Sequence, residues 1–202
     1  MAEASIYLDR IDVCRYWPPG APLTCPEFMA RLQAGREDSR DYPFLTPGQL
    51  QAFKLALKAR NYLPTVELIT LPQAVDPGVI PLNEPDENAP VLVSGNNALT
   101  FEVLGTLWAQ GLTPAYFLLI DCAGNTVDMA LVFEVFTPAR LATALTGSGL
   151  AGMVKHRHLI VPGLTAPLAP DFAAATGWEI EVGPVCAAEL PLFLGNRWRP
   201  VT

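Results

Sequence analysis

PVLVSGNNALTFEVLGTLWAQGLTPAYFLLIDCAGNTV, Pro90 to Val127, is the stretch that decides the fold. Val91 to Ser94 is short and apolar on both faces, as a strand buried inside a parallel sheet must be. Asn97 or Asn96 is then placed to cap a helix carrying Leu99, Val103, Leu107 and Trp108, and Gly111 ends it. Tyr116 to Asp121 repeats the buried-strand pattern. Strand, helix and strand at this spacing make a crossover unit, so the two strands are expected to run parallel.

Toward the carboxyl terminus the alternation continues. A short apolar helix is expected near Val127 to Phe133, and another from Thr137-Pro138. Leu159 to Val161 reads as the third strand, Asp171 to Thr176 as a helix, Glu179 to Val182 as the fourth strand and Ala187 to Leu194 as a last helix. The fold class is therefore α/β with an open, mostly parallel sheet. Ligands in such sheets bind outside the carboxyl ends of the strands. Those ends are Gly95-Asn96-Asn97, Asp121 to Thr126, Pro162-Gly163-Leu164 and Gly183-Pro184-Val185. Each holds residues that let backbone approach a ligand closely.

Toward the amino terminus, prolines punctuate the chain. The first segment carries one short helix with Phe28, Met29 and Leu32 on a face and Gly35 at its end. A second helix is expected from Thr46, an N-cap followed by Pro47, to Arg60, with Leu50, Phe53 and Leu57 as its apolar stripe. A strand-like run, Thr65 to Leu71, precedes a proline-rich linker from Pro72 to Pro90 with the acids Glu84, Asp86 and Glu87. Three parts are expected: residues 1–45, residues 46–88, and the α/β part 89–202.

Half of the residues are hydrophobic and 16% are charged, which suits a folded globule. A net charge of −7 argues against nucleic acid and against an anionic membrane surface. The amino terminus lacks the apolar run of a signal peptide and no stretch has the length of a membrane span, so a cytoplasmic location is expected. Cys14, Cys25, Cys122 and Cys186 form no CxxC pair, so free thiols are expected rather than disulfides or a metal site. His156 and His158 are expected to be structural. No nucleophile–base pair or phosphate-binding glycine loop is present, so an independent enzyme is not expected.

Four stretches carry a family resemblance: PVLVSGNNALT (Pro90 to Thr100), FLLIDCAGNTV (Phe117 to Val127), VKHRHLIVPG (Val154 to Gly163) and TGWEIEVGP…LPLFL (Thr176 to Leu194). In order and spacing they resemble the Rossmann-like, corrinoid-binding carboxyl-terminal domain of the large (gamma) subunit of the corrinoid iron–sulfur protein. That protein belongs to the CO dehydrogenase/acetyl-CoA synthase system, and mercury-methylating corrinoid proteins share the domain. The resemblance implies a carrier that presents base-off cobalamin to a partner methyltransferase or another corrinoid protein. Counting back from Phe136, the family's cap helix beneath the ring would open at Thr126 and Val127, approached through Gly124. Met129 would then face cobalt as a weak ligand, with Ala130 beside it. Asn96, Asn97 and Thr100 would contact the ring's amide side chains or tail. Pro162, Gly163, Leu164, Gly183 and Pro184 would close the rim.

The chain departs from that pattern at two places. Leu131, Val132, Phe133, Glu134 and Val135 are bulkier than the small residues of the family helix and would fill ring space. In Ala21 to Gly35 the family's [4Fe–4S] pattern survives only as Thr24, Cys25, Phe28, Leu32 and Gly35, with Trp17, Gly20 and Tyr42 where three ligand cysteines belong. Clusters of this kind need four thiolates, so no iron–sulfur cluster is expected. The alternative reading is a corrinoid-free paralogue that acts as an interaction or assembly protein.

Overall fold

The computed structural model describes Leu8, residues 11–65 and residues 71–201. Most of the strand-like run Thr65 to Leu71 falls outside these described residues. In chain order the elements are α1 (Cys25–Gln33), α2 (Pro47–Leu57), α3 (Ala59–Tyr62), β1 (Gly78–Leu82), β2 (Val91–Gly95), α4 (Ala98–Trp108), β3 (Ala115–Ile120), α5 (Val127–Val132), α6 (Pro138–Ser148), α7 (Leu150–Met153), β4 (His158–Val161), α8 (Ala169–Thr176), β5 (Glu179–Val182) and α9 (Leu190–Leu194).

The strands form one sheet in the order β1-β3-β2-β4-β5. The last four run parallel and β1 is antiparallel to β3. This is the α/β, mostly parallel sheet expected from the pattern. The antiparallel edge was not expected: β1 lies within the stretch read as a linker. Its prolines mislead, because at a sheet edge Pro81 removes no donor that an inner neighbour needs.

The alternation of side chains splits the core in two. Leu92, Phe117 and Ile160 face one side, where they join Leu107 and Trp108 of α4, Leu50 and Phe53 of α2, and Leu192 of α9. Val91, Val93, Leu118, Ile120 and Val161 face the other, against Leu141 of α6 and Phe172 of α8. Each such fully buried side chain contributes about 1.5–3 kcal/mol.

Thr46 caps α2 through a reciprocal box with Gln49, as its position suggests, and Thr24 does the same for α1 with Glu27. Two expected helices are broken. The helix from Thr46 stops at Leu57 and restarts as α3, and the last one divides into a tight turn, Ala187–Glu189, and α9. The expectation of free thiols is corrected for one pair: Cys14 and Cys25 form a disulfide, while Cys122 and Cys186 are free and buried. Spacing concealed the pair because a tight turn at Val13–Tyr16 folds back onto the start of α1.

Candidate functional site

Strand order creates the site. From β2 the chain crosses by α4 to β3 on one side, and from β3 it returns by α6 to β4 on the other. Beyond their carboxyl ends β2 and β4 therefore lead apart, which is where open α/β sheets form a crevice. The pairing shows the divergence: β2 matches β3 over five residues but matches β4 only at Leu92 with Ile160. A cavity of about 160 Å³ lies there.

Of the residues singled out from sequence, Thr100, Thr126 and Val127 line this cavity, as do Pro162, Leu164, Gly183 and Pro184. Leu99 and Val103 of α4 form one wall and Asp128 stands by Thr126 at the start of α5. The lining is overwhelmingly apolar. It suits an apolar arm of a ligand with few polar contacts to orient it.

The other singled-out residues lie elsewhere. Asn96 donates from Nδ2 to the Val75 carbonyl at 3.0 Å, while its Oδ1 accepts from the Cys122 and Gly124 amides at 2.8 and 3.3 Å. Asn97 accepts from the Thr100 amide at 3.0 Å, capping α4, and donates to the Gly124 carbonyl at 2.6 Å. Both side chains are spent on the chain itself. Gly124 has φ +73°, and a Cβ there would meet the Ala74 amide nitrogen at 2.6 Å, so residues 73–74 cover this loop. Ala130 is fully buried beneath the sheet. Gly163 seals its loop onto the next one: its amide donates to Pro184, and a Cβ would meet the Val185 nitrogen at 2.6 Å.

Met129 is outside the cavity and 39% exposed. Val132 and Phe133 are 70% and 58% exposed. Val132 and Phe133 thus point largely to solvent, Leu131 and Val135 pack partly against the core, and none of them fills the cavity.

Sequence reasoning missed the inner wall. Leu63 and Pro64 reach the cavity, as do Cys186, Ala188 and Leu190. Nothing local marks them, since they meet only through packing. Burial pushes the Cys186 thiol up to about 11, and does the same to Cys122. Both stay protonated at neutral pH and are poor nucleophiles. Among the described residues no three His, Cys, Asp or Glu side chains are grouped to hold a metal ion. None of their helices is long and apolar enough to cross a membrane. Of the ionisable side chains among the described residues, only Asp128 and the protonated Cys186 thiol line the cavity.

Residues 58–194 match the family model described as CdhD, the CO dehydrogenase/acetyl-CoA synthase delta subunit. Relatives include the acetyl-CoA decarbonylase/synthase complex subunit gamma of Methanopyrus kandleri, 36% identical over 124 residues. That alignment covers 61% of this chain and 27% of the relative. The corresponding subunit of Methanothermobacter thermautotrophicus is 34% identical over 123 residues, covering 61% and 27%. Subunit gamma 2 of Methanosarcina thermophila is 36% identical over 132 residues, covering 64% and 28%. The chain thus spans about a quarter of the length of these relatives. The match corrects the resemblance drawn above: the family is the delta-subunit type, not the large subunit of the corrinoid iron–sulfur protein. The pattern at residues 21–35 that carries part of that resemblance lies outside the matched segment.

Proposed function

The chain belongs to the CO dehydrogenase/acetyl-CoA synthase delta subunit family, and from that premise we propose that it is a corrinoid-holding component of an acetyl-CoA decarbonylase/synthase type of assembly. The observation that carries the reading is the cavity at the switch point between β2 and β4. At about 160 Å³ it is too small for a whole corrinoid, and its apolar lining suits one arm of it, the aromatic base at the end of the cofactor's tail, better than an amide side chain. The exposed face of α5 then offers the adjoining surface for the ring.

In this reading Thr100, Thr126 and Val127 hold the inserted arm, and Pro162, Leu164, Gly183 and Pro184 close the rim. Asn96, Asn97, Gly124, Ala130 and Gly163 act as positioning residues that keep the loops in place. Met129 is a weak, neutral thioether ligand within reach of the surface. The bound cofactor supplies a cobalt centre able to take up and release a methyl group. The chain's own residues hold it, exclude water from its arm and leave its outer face to a partner methyltransferase or corrinoid protein in the cytoplasm. Cys25 is engaged by Cys14, which supports the reading that this part carries no iron–sulfur cluster.

Titration with hydroxocobalamin and with its reduced form tests the proposal. A changed visible spectrum and a raised Tm are expected; the absence of both removes the proposal. Met129→Ala is expected to alter the cobalt spectrum, and an unchanged spectrum removes the ligand role. One observation favours a second reading, a corrinoid-free assembly protein: the apolar side chains of Val132 and Phe133 stand exposed, as at a protein contact.

A further inference from the structure

We propose that Ile11 to Trp17 form a redox-fastened strap that holds the inner wall of the cavity in place and is released when a thiol reductant opens the Cys14–Cys25 disulfide. The strap has two kinds of fastening. One is covalent, to the start of α1. The other is the Glu189 carboxylate, which accepts from the Asp12 amide at 2.8 Å and from the Tyr16 hydroxyl at 3.0 Å. Glu189 is only 5% exposed and ends the turn Ala187–Glu189. Its neighbours Cys186, Ala188 and Leu190 line the cavity. Ile11 packs on the cluster of Ala59, Cys186 and Ala188, directly behind that wall. Strap and wall therefore share one set of contacts.

The chemistry of release is open to solvent. Cys14 is exposed while Cys25 is buried, so a thiol reaches the bond from the Cys14 side. Reduction breaks the S–S bond and forms two S–H groups; two reductant thiols lose two electrons and two protons and join as a disulfide. The strap is then held by Glu189 and by packing of Ile11, Val13, Tyr16 and Trp17. A buried polar atom favours opening further. The Tyr62 hydroxyl, on the cluster that Ile11 covers, has no hydrogen-bond partner among the described residues, and water admitted by the open strap satisfies it.

As control of corrinoid entry the strap rests on the function proposed above, but its test needs no corrinoid. The purified chain is labelled with N-ethylmaleimide, oxidised or after reduction and removal of dithiothreitol, and modification is read at each cysteine by mass spectrometry. Cys186 sits in the wall and Cys122 on the opposite core, so Cys122 reports global unfolding. Reduction, or the double change Cys14→Ser with Cys25→Ser, is expected to raise the Cys186 rate about tenfold or more while Cys122 stays constant. Reoxidation of the unchanged chain is expected to restore the slow rate. An unchanged Cys186 rate, or a rise shared equally by Cys122, overturns the strap whether or not corrinoid binds.

Discussion

Two loop regions on one edge of the sheet look alike in sequence and behave in opposite ways. The loops after β2 and β3 are closed on each other: Asn96 and Asn97 tie them together and residues 73–75 lie across the join. Between the ends of β2 and β4, where pairing shrinks to Leu92 with Ile160, the edge is open and holds a cavity. Glycine and asparagine occur where backbone comes close, and at Asn96 and Gly124 the approaching group is the chain itself. Whether this edge closes or leaves a cavity depends on whether the neighbouring strand is still paired.

The largest expected effect breaks the closed region. Asn96→Ala leaves the Cys122 and Gly124 amides and the Val75 carbonyl without their partner in a buried place, at a cost of about 3 kcal/mol; urea denaturation measures it. Next, taken thiol by thiol, is high pH, which acts on the two regions through Cys122 and Cys186. Their folded pKa values, about 11, lie above the usual 9.0. The unfolded chain loses these protons first, so stability is whole below about pH 9 and falls as pH rises toward 11, by about 2–3 kcal/mol per thiol. Alanine at either position is expected to remove its own share of that fall, which denaturation at pH 8 and pH 10.5 resolves.

Gly163→Ala attacks the seam that closes the rim. Its Cβ would meet the backbone of Gly183 to Val185 below 3 Å, so about 1–3 kcal/mol is expected to be lost, seen as a lower Tm. The smallest effect on stability sharpens the comparison most. Val103→Phe fills the cavity from α4 and is expected to change stability by less than about 1.5 kcal/mol. It is also expected to weaken hydroxocobalamin binding more than about tenfold, by the same titration.

Much of the fold was legible. The strand starting at Val91, the cap at Asn97 and the stripe through Leu107 and Trp108 follow from local chemistry, and the structure has them. The edge strand β1 was not legible, because Pro81 and the neighbouring turn residues resemble a linker wherever partners are unknown. Of the site, the residues at the ends of β4 and β5 were legible as loops. The bonds of Asn96 and Asn97 to Val75, Cys122 and Gly124 were not legible, because a polar side chain carries no label for the backbone group it will meet. The disulfide was missed because proximity of Cys14 and Cys25 depends on a turn that spacing alone does not specify.

Hydrophobic periodicity and capping residues, which act over a few neighbours along the chain, determined by themselves that this protein alternates strands and helices in an α/β fold. Only the tertiary structure decided that β4 lies beside β2, that the edge opens there, and that Leu63, Cys186 and Leu190 meet as one wall. Leu92 and Ile160 stand 68 positions apart in the chain, and Leu63 and Cys186 stand 123 apart. Such juxtapositions come from the packing of whole faces, which no local pattern encodes.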